Sequence, residues 1–109
     1  MATRVSRGEI WLYTFESPGK RRPVLVLTRQ DVIAYLTTVI VAPITSTIRG
    51  APSEVVVGPE QGLKRNSAIN LDHVQTVAQA RLHSFVGTLS HEKMSEVCRA
   101  LAIATGCSA

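Results

Sequence analysis

Residues 22–28 read RPVLVLT, and this stretch decides the fold class. After Arg22 and Pro23, four apolar residues in succession predict a strand that is buried on both faces. Pro23 suits the start of a strand, where its missing N–H is tolerated. On the N-terminal side, EIWLYTF at residues 9–15 is a second β-prone run, and the turn-rich basic loop 16–21 separates the two.

Shorter β-prone runs follow toward the C-terminus, with turn signals about every ten residues. These runs cover residues 37–44, 53–57, 67–71, 74–77 and 85–89. Residues 29–36 are ambiguous and allow one helical turn. Pro43 is expected to interrupt the third strand late, because proline cannot donate to a ladder. The polar loop 45–50 and the turn 58–62 separate the middle strands.

One helix is predicted near the C-terminus. Ser90 is a good N-cap, and the helix is expected to end near Thr105, where Gly106 stops it. The apolar face at helical spacing comprises Met94, Val97, Cys98 and Leu101. Five to seven short strands with one closing helix predict a mostly β fold, a small antiparallel barrel with a C-terminal helix.

The composition bounds the class of protein. The 109 residues, 45% of them apolar and 18% charged, suffice for one domain across residues 1–109 and argue against a disordered chain. Twelve Lys and Arg against eight Asp and Glu leave a net charge of +4, and nine of the twelve cations are Arg. A guanidinium donates hydrogen bonds in pairs, so this bias favours carboxylate or phosphate recognition. Nucleic-acid binding and a mere cationic bias both remain open.

The N-terminus and the cysteines narrow the cellular setting. The N-terminus lacks the apolar core of a secretory signal, and no apolar run approaches the ~20 residues that span a bilayer. Cys98 and Cys107 are separated by about 13 Å of helical rise, too far for a disulfide. Each is expected to be a buried small hydrophobic residue. His73, His83 and His91 show no zinc-site spacing. We therefore expect a cytoplasmic, reduced protein without metal, cofactor or membrane contact.

Several common catalytic motifs are absent from the sequence. Asp31 and Asp72 are the only aspartates, so no carboxylate cluster for two-metal chemistry is evident. The chain has no Gly-x-Ser-x-Gly elbow, no Gly-Lys-Ser/Thr phosphate loop and no Gly-x-Gly-x-x-Gly fingerprint. An enzyme built from this chain must therefore work with Arg, with Thr or Ser, and with His.

Three polar clusters can carry chemistry. KRRP at residues 20–23 concentrates positive charge at a strand start, where a rigidly mounted Arg22 can be aimed at a fixed anion; a solvated charge run is the alternative. The hydroxyls of ITST at residues 44–47 can donate to a phosphate or cap backbone groups. DHVQ at residues 72–75 offers groups that suit the edges of unpaired bases, although a loop histidine is more often simply exposed.

Four motifs, in order along the chain, together carry a family resemblance. They are RGEIW at residues 7–11, RPVLVL at 22–27, APITS at 42–46 and the stretch 74–82. In this order they resemble the opening, the Arg-Pro-Val-Leu-Val signature, the strand-end motif and a later segment of MazF/PemK-type toxins. The resemblance covers about residues 6–103.

The resemblance implies an SH3-like barrel of the plasmid-maintenance toxin type, normally a homodimer. It implies a metal-independent, sequence-selective endoribonuclease that cleaves single-stranded RNA, leaving a 2′,3′-cyclic phosphate and a 5′-OH. It also implies a cognate antitoxin whose acidic or amphipathic tail occupies the RNA groove. The family's catalytic Arg before Pro falls on Arg22, and its catalytic Thr after Ile falls on Thr45.

Three departures from the family pattern concern surfaces that contact RNA. The loop 16–21 is shorter than is common, His73 follows Asp72 where many members have Gln, and Gln75 stands where many have Arg or Lys. These departures bear on the cut sequence and not on the reaction. The predicted RNA-binding residues are Lys20, Arg21, Ser46, Arg49, Asp72, His73 and Gln75.

Arg22 is expected to stabilise the charge that builds on the phosphoryl oxygens, and Thr45 to add a neutral hydrogen bond. Arginine is a poor general base at neutral pH, and His73 is not assigned catalysis because the family usually lacks histidine there. Two alternatives remain: a non-catalytic SH3-like module that binds RNA or protein, and a gyrase poison of the CcdB type. The tail 104–109 has no aromatic residue, which weighs against the gyrase poison.

Overall fold

The computed structural model describes residues 5–16 and 19–107. It contains seven strands, β1 (Glu9–Thr14), β2 (Arg21–Val26), β3 (Thr38–Thr45), β4 (Glu54–Val57), β5 (Ser67–Asn70), β6 (Gln75–Ala78) and β7 (Leu82–Thr88). Two α-helices are described, α1 (Gln30–Ile33) and α2 (His91–Thr105). Three 3-10 turns cover Pro59–Gln61, Leu71–His73 and Gln79–Arg81. The predicted mostly β class with a C-terminal helix is confirmed.

The strands form one antiparallel sheet in the order β4-β5-β3-β2-β1-β7. The central strand β3 pairs with β2 on one edge, and β5 and then β6 share its other edge. The turn Leu71–His73 lies where the chain passes from β5 to β6. Within the described part of the chain, no ladder joins β4 to β7, so the expected barrel is not closed by strand pairing.

Two apolar clusters, one on each face of the sheet, form the core. Alternation along β2 sends Leu25 to one cluster and Val24 and Val26 to the other, and all three side chains have no exposed surface. The helix α2 covers the first cluster through Val97 and Ala100. The prediction that this strand is buried on both faces is confirmed, and β2 is thereby held on both sides by packing.

The predicted start and end of the long helix are confirmed. The Ser90 hydroxyl accepts a hydrogen bond from the Lys93 backbone N–H at 3.1 Å, and Gly106 ends α2 at a left-handed φ of 73°. The predicted apolar face is wrong at Cys98, which is exposed, and Cys107 is exposed as well. Position 98 lies about 100° around the helix from Val97, outside the stripe that faces the sheet.

Two strand boundaries differ from the prediction. β7 begins at Leu82, three residues before the expected run, because Leu82 is fully buried opposite Tyr13. β3 continues through Pro43 to Thr45. On the edge shared by β5 and β6, the pairing of β3 is interrupted between Val41 and Ile44. An interrupted ladder tolerates the missing N–H of proline.

Among the helices of residues 5–16 and 19–107, none is long and apolar enough to cross a membrane.

Candidate functional site

A surface pocket of about 580 Å³ lies beside the start of β2. Its floor is apolar and its rim carries cations and hydroxyls. The lining residues are Leu12, Arg21, Arg22, Pro23, Ile44, Ser46, Gly62, Leu63, Lys64, Arg65, Ser67 and Val86. These twelve residues include four cations and no carboxylate. A pocket of this size, with an apolar floor and few polar groups, is typical of a ligand site.

The register of the sheet places the floor. Leu12 of β1 lies opposite Pro23 of β2, and both follow the same face as the buried pair Ile10 and Leu25. The pocket is therefore the continuation of the first core cluster beyond the end of that core. Arg21 shares the face of Pro23 by alternation along the strand.

Arg22 is mounted on the sheet itself. It lies within β2, opposite Tyr13 of β1, and is half-buried. By alternation it lies on the face of Tyr13 and Val24, and it also lines the pocket. A backbone held by a ladder restricts where the guanidinium can reach, in contrast to an arginine on a loop.

Thr45 is the last residue of β3 and is half-buried. Its hydroxyl oxygen accepts a hydrogen bond from the Thr47 backbone N–H at 3.2 Å, which leaves the hydroxyl hydrogen for donation. Val24 lies opposite Pro43, and the same register continued by two residues brings Arg22 opposite Thr45. Thr45 is not one of the residues that line the pocket, whereas Ser46 is.

Two further predicted RNA-binding residues are exposed and lie outside the pocket lining. Lys20 directly precedes Arg21, and its carbonyl oxygen accepts a hydrogen bond from the Phe15 backbone N–H. The Arg49 backbone N–H donates to Glu54 Oε1 at 3.1 Å, which fixes the loop after β3. Neither side chain is brought to the four pocket cations.

The DHVQ cluster is held by its own hydrogen bonds, away from the pocket lining. The Ser53 hydroxyl donates to Asp72 Oδ2 at 2.5 Å, and Asn70 Nδ2 lies 3.3 Å from His73 Nδ1. Gln75 is exposed at the start of β6. The turn Leu71–His73 packs against α2. The structure therefore separates the Asp72, His73 and Gln75 side chains from Arg21, Arg22 and Ser46.

Sequence reasoning missed Lys64, Arg65 and Ser67, which complete the rim. Lys64-Arg65 stands between a turn and the start of β5, as Arg21-Arg22 stands at the start of β2. This repeated arrangement of a basic pair at a strand start is the signal that could have found them.

The four rim cations are electrostatically available. Across residues 5–16 and 19–107, ion pairs join Arg29 to Asp31, Arg81 to Glu16 and Lys93 to Glu96, and none involves a rim cation. The same part of the chain contains no group of three or more His, Cys, Asp or Glu side chains placed to hold a metal ion. The site thus offers concentrated positive charge over an apolar floor, which suits a ligand that combines anionic and apolar parts.

A sequence model of the PemK-like, MazF-like toxins of type II toxin–antitoxin systems matches residues 6–105. The chain belongs to this toxin family. It is 43% identical over 109 residues to the probable endoribonuclease MazF5 of Mycobacterium tuberculosis, covering 99% of each chain. The family resemblance drawn from the sequence is therefore confirmed.

Solved structures agree with this assignment. The Mycobacterium tuberculosis toxin MazF-mt6 is 35% identical, with a TM-score of 0.85 over 93% of this chain and 99% of that one. An endoribonuclease in complex with its cognate antitoxin, from a mycobacterial species, has the same fold at 23% identity, with a TM-score of 0.87 over 97% and 99% of the two chains.

Proposed function

We propose that this toxin is a sequence-selective endoribonuclease that cleaves single-stranded RNA without a metal ion. The 2′-OH attacks the adjacent phosphorus and the bond to the 5′ oxygen breaks, leaving a 2′,3′-cyclic phosphate and a 5′-OH. The observation that carries the proposal is the half-buried Arg22 on β2, in a pocket with four cations and no carboxylate. The relative named as a probable endoribonuclease supports it across the whole chain.

Charge stabilisation is the central catalytic task in this reaction. Negative charge grows on the non-bridging phosphoryl oxygens as the 2′ oxygen attacks. Arg22 can donate two parallel hydrogen bonds to these oxygens from a fixed backbone. The Thr45 hydroxyl, opposite Arg22 in the continued register, can donate a third. Such preorganised donors cost no reorganisation at the moment of reaction.

Proton transfer is assigned separately from charge stabilisation. Arginine keeps its proton at neutral pH, so we assign Arg22 to the phosphoryl oxygens and not to proton abstraction. The lining residues include no histidine, aspartate or glutamate. His73 lies outside the lining and contacts Asn70, so it is not proposed as the base.

The remaining RNA contacts are proposed in two groups. Arg21 and Ser46 line the pocket with Arg22 and would contact the nucleotides next to the cut. Lys20, Arg49, Asp72, His73 and Gln75 lie outside the lining and would contact more distant nucleotides or set sequence preference. The second group carries less direct support than the first.

A partner and an assembly follow from the family. A toxin of a type II system has a cognate antitoxin, and we propose that an acidic or amphipathic tail of that antitoxin competes with RNA for the basic pocket. We also propose a homodimer built from one domain, residues 1–109. The cytoplasm, where RNA is present and exposed thiols stay reduced, is the proposed location.

Arg22→Ala tests the assignment of the catalytic arginine. We expect kcat to fall roughly 10²–10³-fold in excess EDTA, because a preorganised donor to the transition state is lost. Arg22→Lys keeps the charge without the paired donors and should fall in between. Arg99→Ala, which removes an exposed cation on α2, should cut at the parent rate. Primer extension across a long mixed RNA, with labelling of the new ends, measures both rate and product.

An Arg22→Ala variant that cuts at the parent rate would refute the assignment. Circular dichroism and sedimentation should show that this variant keeps its fold and assembly. For Thr45, comparison of Thr45→Val with Thr45→Ser separates the hydroxyl from its shape. Equal turnover in both variants would leave Thr45 only the role of capping Thr47. RNA that is bound but never acquires a cyclic phosphate end would instead support the non-catalytic binding module.

A further inference from the structure

We infer that Lys64 and Arg65 form a second phosphate-binding rim, which holds the phosphate next to the one that is cut. The identity of the ligand as RNA rests on the proposed function. The two cations line the same pocket as Arg21 and Arg22 but come from the chain between Pro59–Gln61 and β5. We call residues 62–67 the rim segment.

The N-terminal end of the rim segment is held by a compact hydrogen-bonded turn. The buried Gln61 side chain accepts a hydrogen bond from the Gly58 backbone N–H at 2.7 Å. The Gly62 and Leu63 backbone N–H groups donate to the carbonyl oxygens of Pro59 and Gly58, at 3.0 and 3.3 Å. This turn therefore has little freedom to change its direction.

Close packing on β7 fixes the same end. A Cβ at Gly62 would lie 2.4 Å from the Val86 carbonyl oxygen, and a Cβ at Gly87 would lie 2.0 Å from that of Gln61. The two backbones meet with no room for a side chain on either. Gly62 also adopts a φ of 92°, a left-handed conformation that favours glycine.

The C-terminal end of the rim segment is anchored too. Ser67 is buried, and its hydroxyl donates to the Arg65 carbonyl oxygen at 3.1 Å. Ser67 also opens β5, where it lies opposite Val57 of β4. With both ends fixed, the exposed Lys64 and Arg65 side chains start from defined positions at the pocket edge.

The chemistry of the pocket matches one nucleotide with a phosphate on either side. The floor between the basic pairs is made of Leu12, Pro23, Ile44, Leu63 and Val86, which can contact a base or ribose face but not hydrogen-bond to it. A nucleotide chain presents anionic groups on both sides of each nucleoside. The two basic pairs, contributed by separate parts of the chain, can contact successive phosphates.

The test compares Lys64→Ala/Arg65→Ala with Arg29→Ala/Arg99→Ala, which removes the same charge from exposed positions outside the pocket lining. Binding is measured on a single-stranded 2′-O-methyl RNA, which lacks the nucleophile. We expect the rim variant to bind about tenfold more weakly. The slope of log affinity against log salt should shrink by about 0.7 for each phosphate that the variant no longer neutralises. On cleavable RNA its KM should rise with little change in kcat, in contrast to Arg22→Ala.

The outcomes separate the rim from the proposed function. A rim variant with an unchanged salt slope, or a loss equal to that of the control, overturns the rim. Loss of affinity for an acidic peptide with RNA affinity retained would overturn the assignment to RNA. If the parent protein binds the 2′-O-methyl RNA but never cuts cleavable RNA, the proposed function fails while the rim stands. Equal melting temperatures for both double variants show that folding is not the cause.

Discussion

Gly87→Ala is expected to displace the rim segment, because this glycine leaves no room for a side chain. Gly87 lies in β7 opposite Ile10, and its φ is outside the left-handed region, so the backbone itself tolerates alanine. The new Cβ would lie 2.0 Å from the Gln61 carbonyl oxygen and 2.9 Å from its carbon. Both atoms are backbone, so the two segments must separate by about 1.4 Å before the closer contact reaches 3.4 Å.

A displacement of this size in a packed region costs about 1–3 kcal/mol of unfolding free energy. For a chain of this length, we expect the melting temperature to fall by about 4–12 °C. The same displacement moves Lys64 and Arg65 without removing their charge. Gly87→Ala should therefore also raise KM for RNA, measured at a temperature where the variant is fully folded. Urea denaturation and steady-state cleavage measure the two effects separately.

Gly106→Ala is the matched control. Gly106 has a φ of 73°, and a Cβ at this position would meet no atom within 4 Å, so alanine there costs about 1–2 kcal/mol through backbone conformation alone. Cleavage by this variant should match the parent. The reasoning is refuted if Gly87→Ala keeps parent stability and parent KM, because the contact with Gln61 would then not hold the rim segment.

Two further predictions concern α2, and urea denaturation checks both. Val97→Ala should lower the free energy of unfolding by about 2 kcal/mol, because Val97 is fully buried. Cys98→Ser, one position along and exposed, should change it by less than about 0.5 kcal/mol; equal losses would mean that the buried face is assigned wrongly. Ser90→Ala should cost about 1 kcal/mol through the lost cap on Lys93. Ser95→Ala, within the helix, should cost nothing, and a loss there as large as at Ser90 would count against the cap.

Local signals predicted much of the fold. The apolar run after Pro23 identified β2, because a strand buried on both faces needs apolar residues at every position. Ser90 and Gly106 marked the ends of α2, because capping depends on residues next to one another in the chain. Cys98 was misplaced, because the spacing of apolar residues does not show which edge of a broad helical face meets the sheet.

The candidate site was only half visible in the sequence. Arg21 and Arg22 stood out as a basic pair at a strand start, and both line the pocket. Lys64 and Arg65 did not stand out, because they follow a turn far along the chain and reach the pocket only through packing on β7. The Asp72 carboxylate looked available for RNA, but Ser53, 19 positions away, donates to it.

By itself, the sequence determined the strands, the long helix, the excess of arginine and the toxin family, because these depend on composition and on residues close together in the chain. Tertiary structure alone decided which cations share a pocket and how firmly they are mounted. That outcome depends on the register between Leu12 and Pro23 and on the close approach of Gly62 and Gly87 to neighbouring backbone. Both are contacts between distant parts of the chain, which no local pattern encodes.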